Sequence, residues 1–149
     1  MRCAPLLVVD VFGALLHPVS AGDNVLIGTA WQLEAPSNAS VQAERRETLA
    51  FPQPDRAAGR TACNGFVAEA RVSGERLSIR IVATTQMACT PPRDVHEAQY
   101  LEALGAAQRF AVDGDTLRIY QRGEEAVLRF SRLRASPTDA PGPEAEHRP

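Results

Sequence analysis

The sequence lacks the short motifs that identify most nucleotide-dependent enzymes and serine hydrolases. Its 149 residues contain no G-x-x-x-x-G-K, no G-x-G-x-x-G in a strand–helix context and no G-x-S-x-G. Lysine is also absent, so sixteen arginines stand against eighteen acidic residues and leave a formal net charge of −2. This balance gives no overall attraction to nucleic acid or acidic membranes. These absences predict a protein that is not an enzyme and carries no cofactor.

Long hydrophobic runs are missing as well. The longest apolar stretch begins at Cys3, is interrupted by Asp10 and is too short to span a bilayer. It follows the basic residue Arg2 and ends in small residues around Ala21, a pattern typical of an export signal over residues 1–22. A first strand or a mis-assigned start is the alternative. Because nothing apolar precedes Cys3, a lipid anchor is not predicted.

Apolar residues are scarce again at the other end of the chain. Residues 135–149 include four prolines and no apolar side chain larger than alanine. Such a segment buries too little surface to offset the entropy of ordering, so we predict a disordered tail. The predicted folded domain therefore covers residues 25–134.

Within this domain, alternation of apolar and polar residues predicts strands. Trp31 and Leu33 share one face of a strand over 29–34, and a strand over 47–51 is expected to stop at Pro52. Further strands are predicted over 66–72, 76–81, 109–113, 116–120 and 126–133, several of them joined by tight turns. The sequence from Gly59 to Phe66 is interpreted as a strand end, a turn at Asn64-Gly65 and a strand start.

One segment, residues 90–105, has a helical period. Thr90 is the expected N-cap and Gly105 the expected stop, and four apolar residues recur at helical spacing: Val95, Ala98, Leu101 and Leu104. On this helix we interpret His96 as a solvated side chain and Glu97 as a local capping or pairing residue. The predicted fold class is a β-rich α+β domain with a single antiparallel sheet and one helix inserted before the last three strands.

Two cysteines, Cys63 and Cys89, remain once Cys3 is assigned to the export signal. An even pair in an exported domain favours a disulfide, which would close a loop of about 27 residues and stabilise the fold by ~3–4 kcal/mol. Two buried reduced thiols are one alternative, and a catalytic thiol with His96 as its base is another. A zinc site is not predicted, since two cysteines and one histidine are too few ligands.

Two arginines of the last hairpin, Arg118 and Arg129, are candidates for an anion-contact stripe. A solvated outer face is the alternative interpretation. No aromatic residues interleave with them to stack bases, so nucleic-acid binding is not predicted.

Several short stretches occur together in a recognisable order. They are W-Q-L at 31–33, C-N-G-F at 63–66, T-Q-M-A-C at 85–89, Glu97 followed by Leu101 and Leu104, G-D-T-L-R-I at 114–119 and L-R-F at 128–130. Over about residues 28–133 the chain resembles the META domain, the family of the bacterial heat-shock protein HslJ. It departs from the family at Ala62 and Ala68, where glycine is common.

The resemblance implies a partly open β-barrel-like fold with the helix packed on or into it. It also implies a periplasmic or secreted bacterial protein with links to heat shock and envelope stress, and it brings no catalytic or metal-binding residue. The resemblance assigns a structural role to a set of residues around the cysteine pair, which we call the structural set: Trp31, Asn64, Gly65, Phe66, Thr85, Met87 and Glu97.

The resulting hypothesis is a monomeric, non-enzymatic envelope or secreted protein that binds a protein partner or a small apolar ligand and supports stress tolerance. The alternatives are a secreted inhibitor or binding module that acts on a foreign enzyme, and a thiol redox protein built on Cys63 and Cys89.

Overall fold

A computed structural model of the chain describes residues 24–36, 46–123 and 125–134. The predicted export signal and the predicted C-terminal tail lie outside these residues. The described residues form eight strands and one helix: β1 (Thr29–Ala35), β2 (Thr48–Gln53), β3 (Arg56–Arg60), β4 (Gly65–Ser73), β5 (Arg76–Thr84), α1 (Arg93–Gly105), β6 (Arg109–Asp113), β7 (Thr116–Tyr120) and β8 (Ala126–Leu133).

The strands form a ring in chain order. Each strand pairs antiparallel with the next, and β8 returns to pair with β1. The joint between β5 and β6 is the weak point of the ring, because only one register position is paired there, Arg76 opposite Arg109. The predicted antiparallel, partly open barrel with one helix before the last three strands is confirmed.

The interior of the barrel is filled by side chains. Inward-facing residues alternate along the strands, as Phe66, Ala68 and Ala70 do along β4. The Tyr100 ring of α1 lies 6.1 Å from the ring of Phe66 and 6.4 Å from that of Phe130, centroid to centroid. An eight-stranded barrel has an interior just wide enough for such filling. The core therefore includes one face of the helix as well as the inner wall of the barrel.

The helix begins later, and buries a different face, than the sequence predicts. Pro92 is its N-cap and makes no side-chain capping bond, so the assignment of Thr90 as the cap is wrong. The predicted apolar stripe is wrong in its first half, since Val95 and Ala98 are exposed. The buried side chains are Tyr100 and Leu104, with Leu101 and Ala103 packed partly against the core.

Strand β3 is a strand that the alternation pattern did not predict, because its five residues are arginine, alanine and glycine. Gly59 explains how it pairs. A Cβ at this position would overlap the backbone carbonyl of Thr48 and lie 2.9 Å from the Phe66 ring. The close approach of β2 and β3 thus requires a residue without a side chain. Strand β2 also runs through Pro52 to Gln53, so the predicted stop at Pro52 is wrong.

We expect Gly59→Ala to lower the free energy of unfolding by about 1–3 kcal/mol, because backbone atoms must move to accommodate the methyl group. Chemical denaturation followed by circular dichroism measures this change. Gly105→Ala is the matched control, since its methyl group, at the end of α1, would have nothing within 4 Å. The control should be neutral or slightly stabilising. Equal stability of the two variants would contradict the close approach.

Trp31 lies on β1 with its side chain fully buried. Its indole Nε1 donates to the Thr29 hydroxyl at 2.7 Å, and the guanidinium carbon of Arg132 lies 4.4 Å from the indole ring centroid. Asp115 holds this guanidinium from outside at 3.4 Å. These contacts tie Trp31, a residue of the predicted structural set, to β1 and β8.

Candidate functional site at the helix end of the barrel

The structure brings most of the predicted structural set together between the β3–β4 turn and the start of α1. We call Thr61, Cys63, Asn64, Thr85, Met87, Cys89 and Glu97 the end cluster. Its first part is a turn in which the Thr61 N–H donates to the Asn64 carbonyl at 2.7 Å. Gly65 is already the first residue of β4. The turn therefore spans Thr61 to Asn64, and its predicted position at Asn64-Gly65 is wrong.

Cys63 and Cys89 form a disulfide, with Cα atoms 6.1 Å apart. Cys63 is buried in the turn, whereas Cys89 lies in the segment between β5 and α1. The bond thus joins the β3–β4 turn to the chain that leads into the helix.

Asn64 is the centre of the hydrogen bonding. Its side-chain Oδ1 accepts from the Thr85 hydroxyl at 2.9 Å and from the Met87 N–H at 2.8 Å. Its Nδ2 donates to Glu97 Oε1 at 3.0 Å and to the Met87 carbonyl at 3.3 Å. These four bonds use the full capacity of an amide side chain. Because the residue is buried, each of them also replaces a lost bond to water.

Glu97 reaches from the helix into the turn. Its Oε2 accepts from the Asn64 backbone N–H at 2.9 Å and from the Thr61 hydroxyl. The expectation that Glu97 caps the helix or pairs locally is therefore wrong, since its partners lie 33 and 36 residues earlier in the chain. Thr61 was not singled out from the sequence. A threonine two residues before a cysteine carries no signal of a bond across that distance.

The end cluster leaves little chemistry available. Its two sulfur atoms are bonded to each other, and the Asn64 amide and the Glu97 carboxylate are occupied by internal partners. His96 is half-buried, so the prediction that it is a solvated side chain is wrong. Its Nδ1 has no hydrogen-bond partner among the described residues. Within those residues no three histidine, cysteine or acidic side chains converge as metal ligands would.

Tyr100 anchors the middle of the helix. Its hydroxyl donates to the Thr48 carbonyl at 3.1 Å from a buried position. Burial raises the pKa of this hydroxyl well above its usual value of 10.0, and the nearby negative charge of Glu47 adds to the shift. Ionisation of Tyr100 is therefore strongly opposed in the folded protein.

This shift predicts a loss of stability in alkaline solution. The folded protein keeps the phenolic proton when the unfolded chain has lost it, so the stabilisation is complete below about pH 10 and falls as the pH rises toward the folded pKa. We expect a slope of about −1.4 kcal/mol per pH unit in that range. Urea unfolding at a series of pH values from about 8 to about 11 measures this slope.

Tyr100→Phe is the test variant for the alkaline slope. Its free energy of unfolding should be about 1 kcal/mol lower at pH 7, because the hydrogen bond from the Tyr100 hydroxyl to the Thr48 carbonyl is lost. Its stability should then fall less steeply than that of the wild type above pH 10. Tyr120→Phe, a change on the outer side of β7, is the matched control and should keep the wild-type slope. If Tyr100→Phe also showed the wild-type fall in stability above pH 10, ionisation of the buried Tyr100 would not be the cause of that fall.

The two arginines of the predicted anion-contact stripe lie directly opposite each other on β7 and β8. Arg118 and Arg129 line an open groove of about 360 Å³ together with Ala35, Pro36, Ala126 and Val127. The groove is remote in the sheet order from the β3–β4 turn, so the stripe and the end cluster are separate features.

These features define a class of protein: a small antiparallel barrel with a filled interior and one helix, which a disulfide and a partly buried Asn64–Glu97 pair hold in place. The META domain family matches residues 24–134. The chain belongs to this family, as the order of its short motifs predicts. No curated protein matches the chain at a significant level.

Two solved structures share the fold. An NMR structure of a protein from Burkholderia xenovorans is 23% identical, has a TM-score of 0.63, and the match covers 74% of this chain and 86% of that one. A second NMR structure is 18% identical with a TM-score of 0.53, covering 69% and 87%. A DUF4847 family protein from Bacteroides vulgatus is 16% identical with a TM-score of 0.49, covering 60% and 61%. The first two show similarity of fold alone.

No helix among the described residues is long and apolar enough to cross a membrane.

Proposed function

We propose that the protein is a non-enzymatic binding protein of the bacterial envelope or the secreted fraction, and that its partner is a protein that contacts the outer wall of the barrel. The observation that carries this proposal is the end cluster, in which every group suited to chemistry is held by another group of the cluster. The filled core argues in the same direction, because an apolar ligand inside the barrel would have to displace buried side chains such as Tyr100 and Phe130.

The outer wall offers a binding surface. A cleft of about 840 Å³, which we call the wall cleft, lies where the β2–β3 turn meets β4 and β5. Its apolar lining includes Val67 and Val82, which are 50% and 56% exposed, together with Pro52. Charged residues border it, among them Arg56 and Glu69. An apolar centre inside a charged rim is the usual anatomy of a protein interface.

The cellular setting in this proposal is supported by the disulfide, since such bonds persist in oxidising compartments and are rare in the bacterial cytoplasm. The resemblance to the heat-shock protein HslJ supports a role in envelope stress tolerance. Release from the cell and binding to a foreign enzyme is the second candidate, and the identity of the captured partner distinguishes the two.

Site-specific photo-crosslinking in the periplasm tests the proposal. A photoreactive residue in place of Val82 should give a discrete protein adduct, and Val67→Glu in the same chain should abolish it. Val127 is the matched control position, because it is 37% exposed on β8, across the barrel from the wall cleft. Equal adducts from both positions, or none from Val82, would overturn the proposal. So would a lipid that remains bound to the purified protein in native mass spectrometry.

A further inference from the structure

A second cleft lies at the weak joint of the ring, between β5 and β6. We call it the seam cleft. It has a volume of about 840 Å³, and four of the residues that line it are arginines: Arg71, Arg76, Arg109 and Arg122. None of its described lining residues is acidic. In a chain with a net charge of −2, this is a strong local excess of positive charge.

The four guanidinium groups have no acidic partners in the described parts of the chain. The ion pairs found there use other arginines: Arg46, Arg80, Arg132 and Arg134. Arg76 and Arg109 are also the one pair of residues that face each other across the β5–β6 joint. Like charges directly opposite on neighbouring strands destabilise a sheet. An anion between them would remove this repulsion.

The geometry holds the cleft in shape. The guanidinium carbon of Arg109 lies 4.5 Å from the ring centroid of Tyr120, a cation–π contact that orients the group. Two backbone bonds fix the joint on either side, from Leu77 N–H to the Gln108 carbonyl at 3.1 Å and from Phe110 N–H to the Glu75 carbonyl at 2.9 Å. Because Arg109 and the backbone of the joint are already ordered, they lose less conformational entropy on binding a ligand than freely moving groups would.

We propose that the seam cleft binds the phosphate group of an anionic ligand, either a small phosphorylated molecule or a phospholipid headgroup. Planar guanidinium groups match the oxygens of phosphate in bidentate pairs. Several of them around one cleft can balance the single charge of a phosphodiester headgroup as well as the nearly two charges of a phosphomonoester at neutral pH. Ser78 and Gln121 line the same cleft and add neutral hydrogen-bond donors.

This inference goes beyond the proposed function and does not depend on it. The seam cleft and the wall cleft are neighbours that share Arg71 and Val72, whereas Arg76 and Arg109 line the seam cleft alone. Changes at Arg76 and Arg109 therefore test phosphate binding without altering the lining of the wall cleft.

The test titrates the full domain with pyrophosphate at low ionic strength and follows the amide and arginine Nε signals by NMR. In parallel, the protein is sedimented with vesicles of phosphatidylglycerol or of phosphatidylcholine. Pyrophosphate should shift the signals of Arg71, Arg76 and Arg109 first. Binding to pyrophosphate alone identifies a free phosphorylated molecule as the source, and stronger binding to phosphatidylglycerol than to phosphatidylcholine identifies a headgroup.

The variant R76Q/R109Q should weaken binding at least tenfold, the change expected from loss of about 1.4 kcal/mol of charged hydrogen bonding. Its melting temperature should change little, because relief of the like-charge pair offsets loss of the Arg109–Tyr120 cation–π contact. R118Q/R129Q removes the same charge from the same barrel and should retain affinity within about threefold. Equal losses in the two variants, unchanged binding in R76Q/R109Q, or no response to about 10 mM pyrophosphate would overturn the proposal.

Discussion

Asn64→Asp is expected to lower the free energy of unfolding by about 4 kcal/mol at pH 7, the range measured when a buried charge is left without a partner. The substitution replaces Nδ2 by an oxygen. That oxygen would lie where the amide now donates to Glu97 Oε1 at 3.0 Å and to the Met87 carbonyl at 3.3 Å. Two donated bonds become two repulsive contacts, one of them between carboxylates.

The double variant N64D/E97Q separates this explanation from a general intolerance of the site. A glutamine at position 97 could keep its oxygen toward the Asn64 backbone N–H and direct its amide nitrogen at the new aspartate. We expect partial rescue, with a coupling free energy of about 2 kcal/mol in a double-mutant cycle by urea denaturation. Additive losses would show that Asn64 and Glu97 are not energetically linked.

Removing the disulfide is the second change with a large expected effect. The cysteines are 26 positions apart, so C63A/C89A should cost ~3–4 kcal/mol from the greater chain entropy of the unfolded state. For a domain of about 110 residues the melting temperature should fall by about 15 °C. Calorimetry of the oxidised wild type and the double variant measures the difference.

Reductant provides the matched control for the disulfide variant. It should lower the melting temperature of the wild type toward that of C63A/C89A and leave the variant itself unchanged. A wild type that melts at the same temperature with and without reductant would contradict the stabilising role of the bond.

Much of the fold was predictable because its information is local. The alternation of Leu77, Ile79 and Ile81 along β5, and the last three strands with their tight turns, follow from residues next to one another in sequence. The pairing of Cys63 with Cys89 followed from a count of cysteines in a domain predicted to be exported.

The parts that were missed depend on distant residues. The role of Glu97 depends on the β3–β4 turn, which lies 33 residues earlier in the chain. The β3 sequence Arg-Ala-Ala-Gly-Arg has no strand pattern of its own, and its pairing depends on the close approach of Gly59 to the Thr48 carbonyl. The buried face of α1 was misplaced because Val95 and Ala98 fit the helical period but lie beyond the edge of the core. The seam cleft joins residues of β4, β5 and β6 with the segment that follows β7, and no sequence period brings these together.

The central claim is that the disulfide and the Asn64–Glu97 pair act together to hold α1 and the segment before it against the β3–β4 turn. Native-state hydrogen exchange with and without reductant tests it most directly. The account predicts that reduction accelerates exchange of the α1 amides around Tyr100 and Leu104 together with those of the Thr61–Asn64 turn, while the amides of β7 keep their protection. An equal change in all three regions, or no change in α1, would contradict the account.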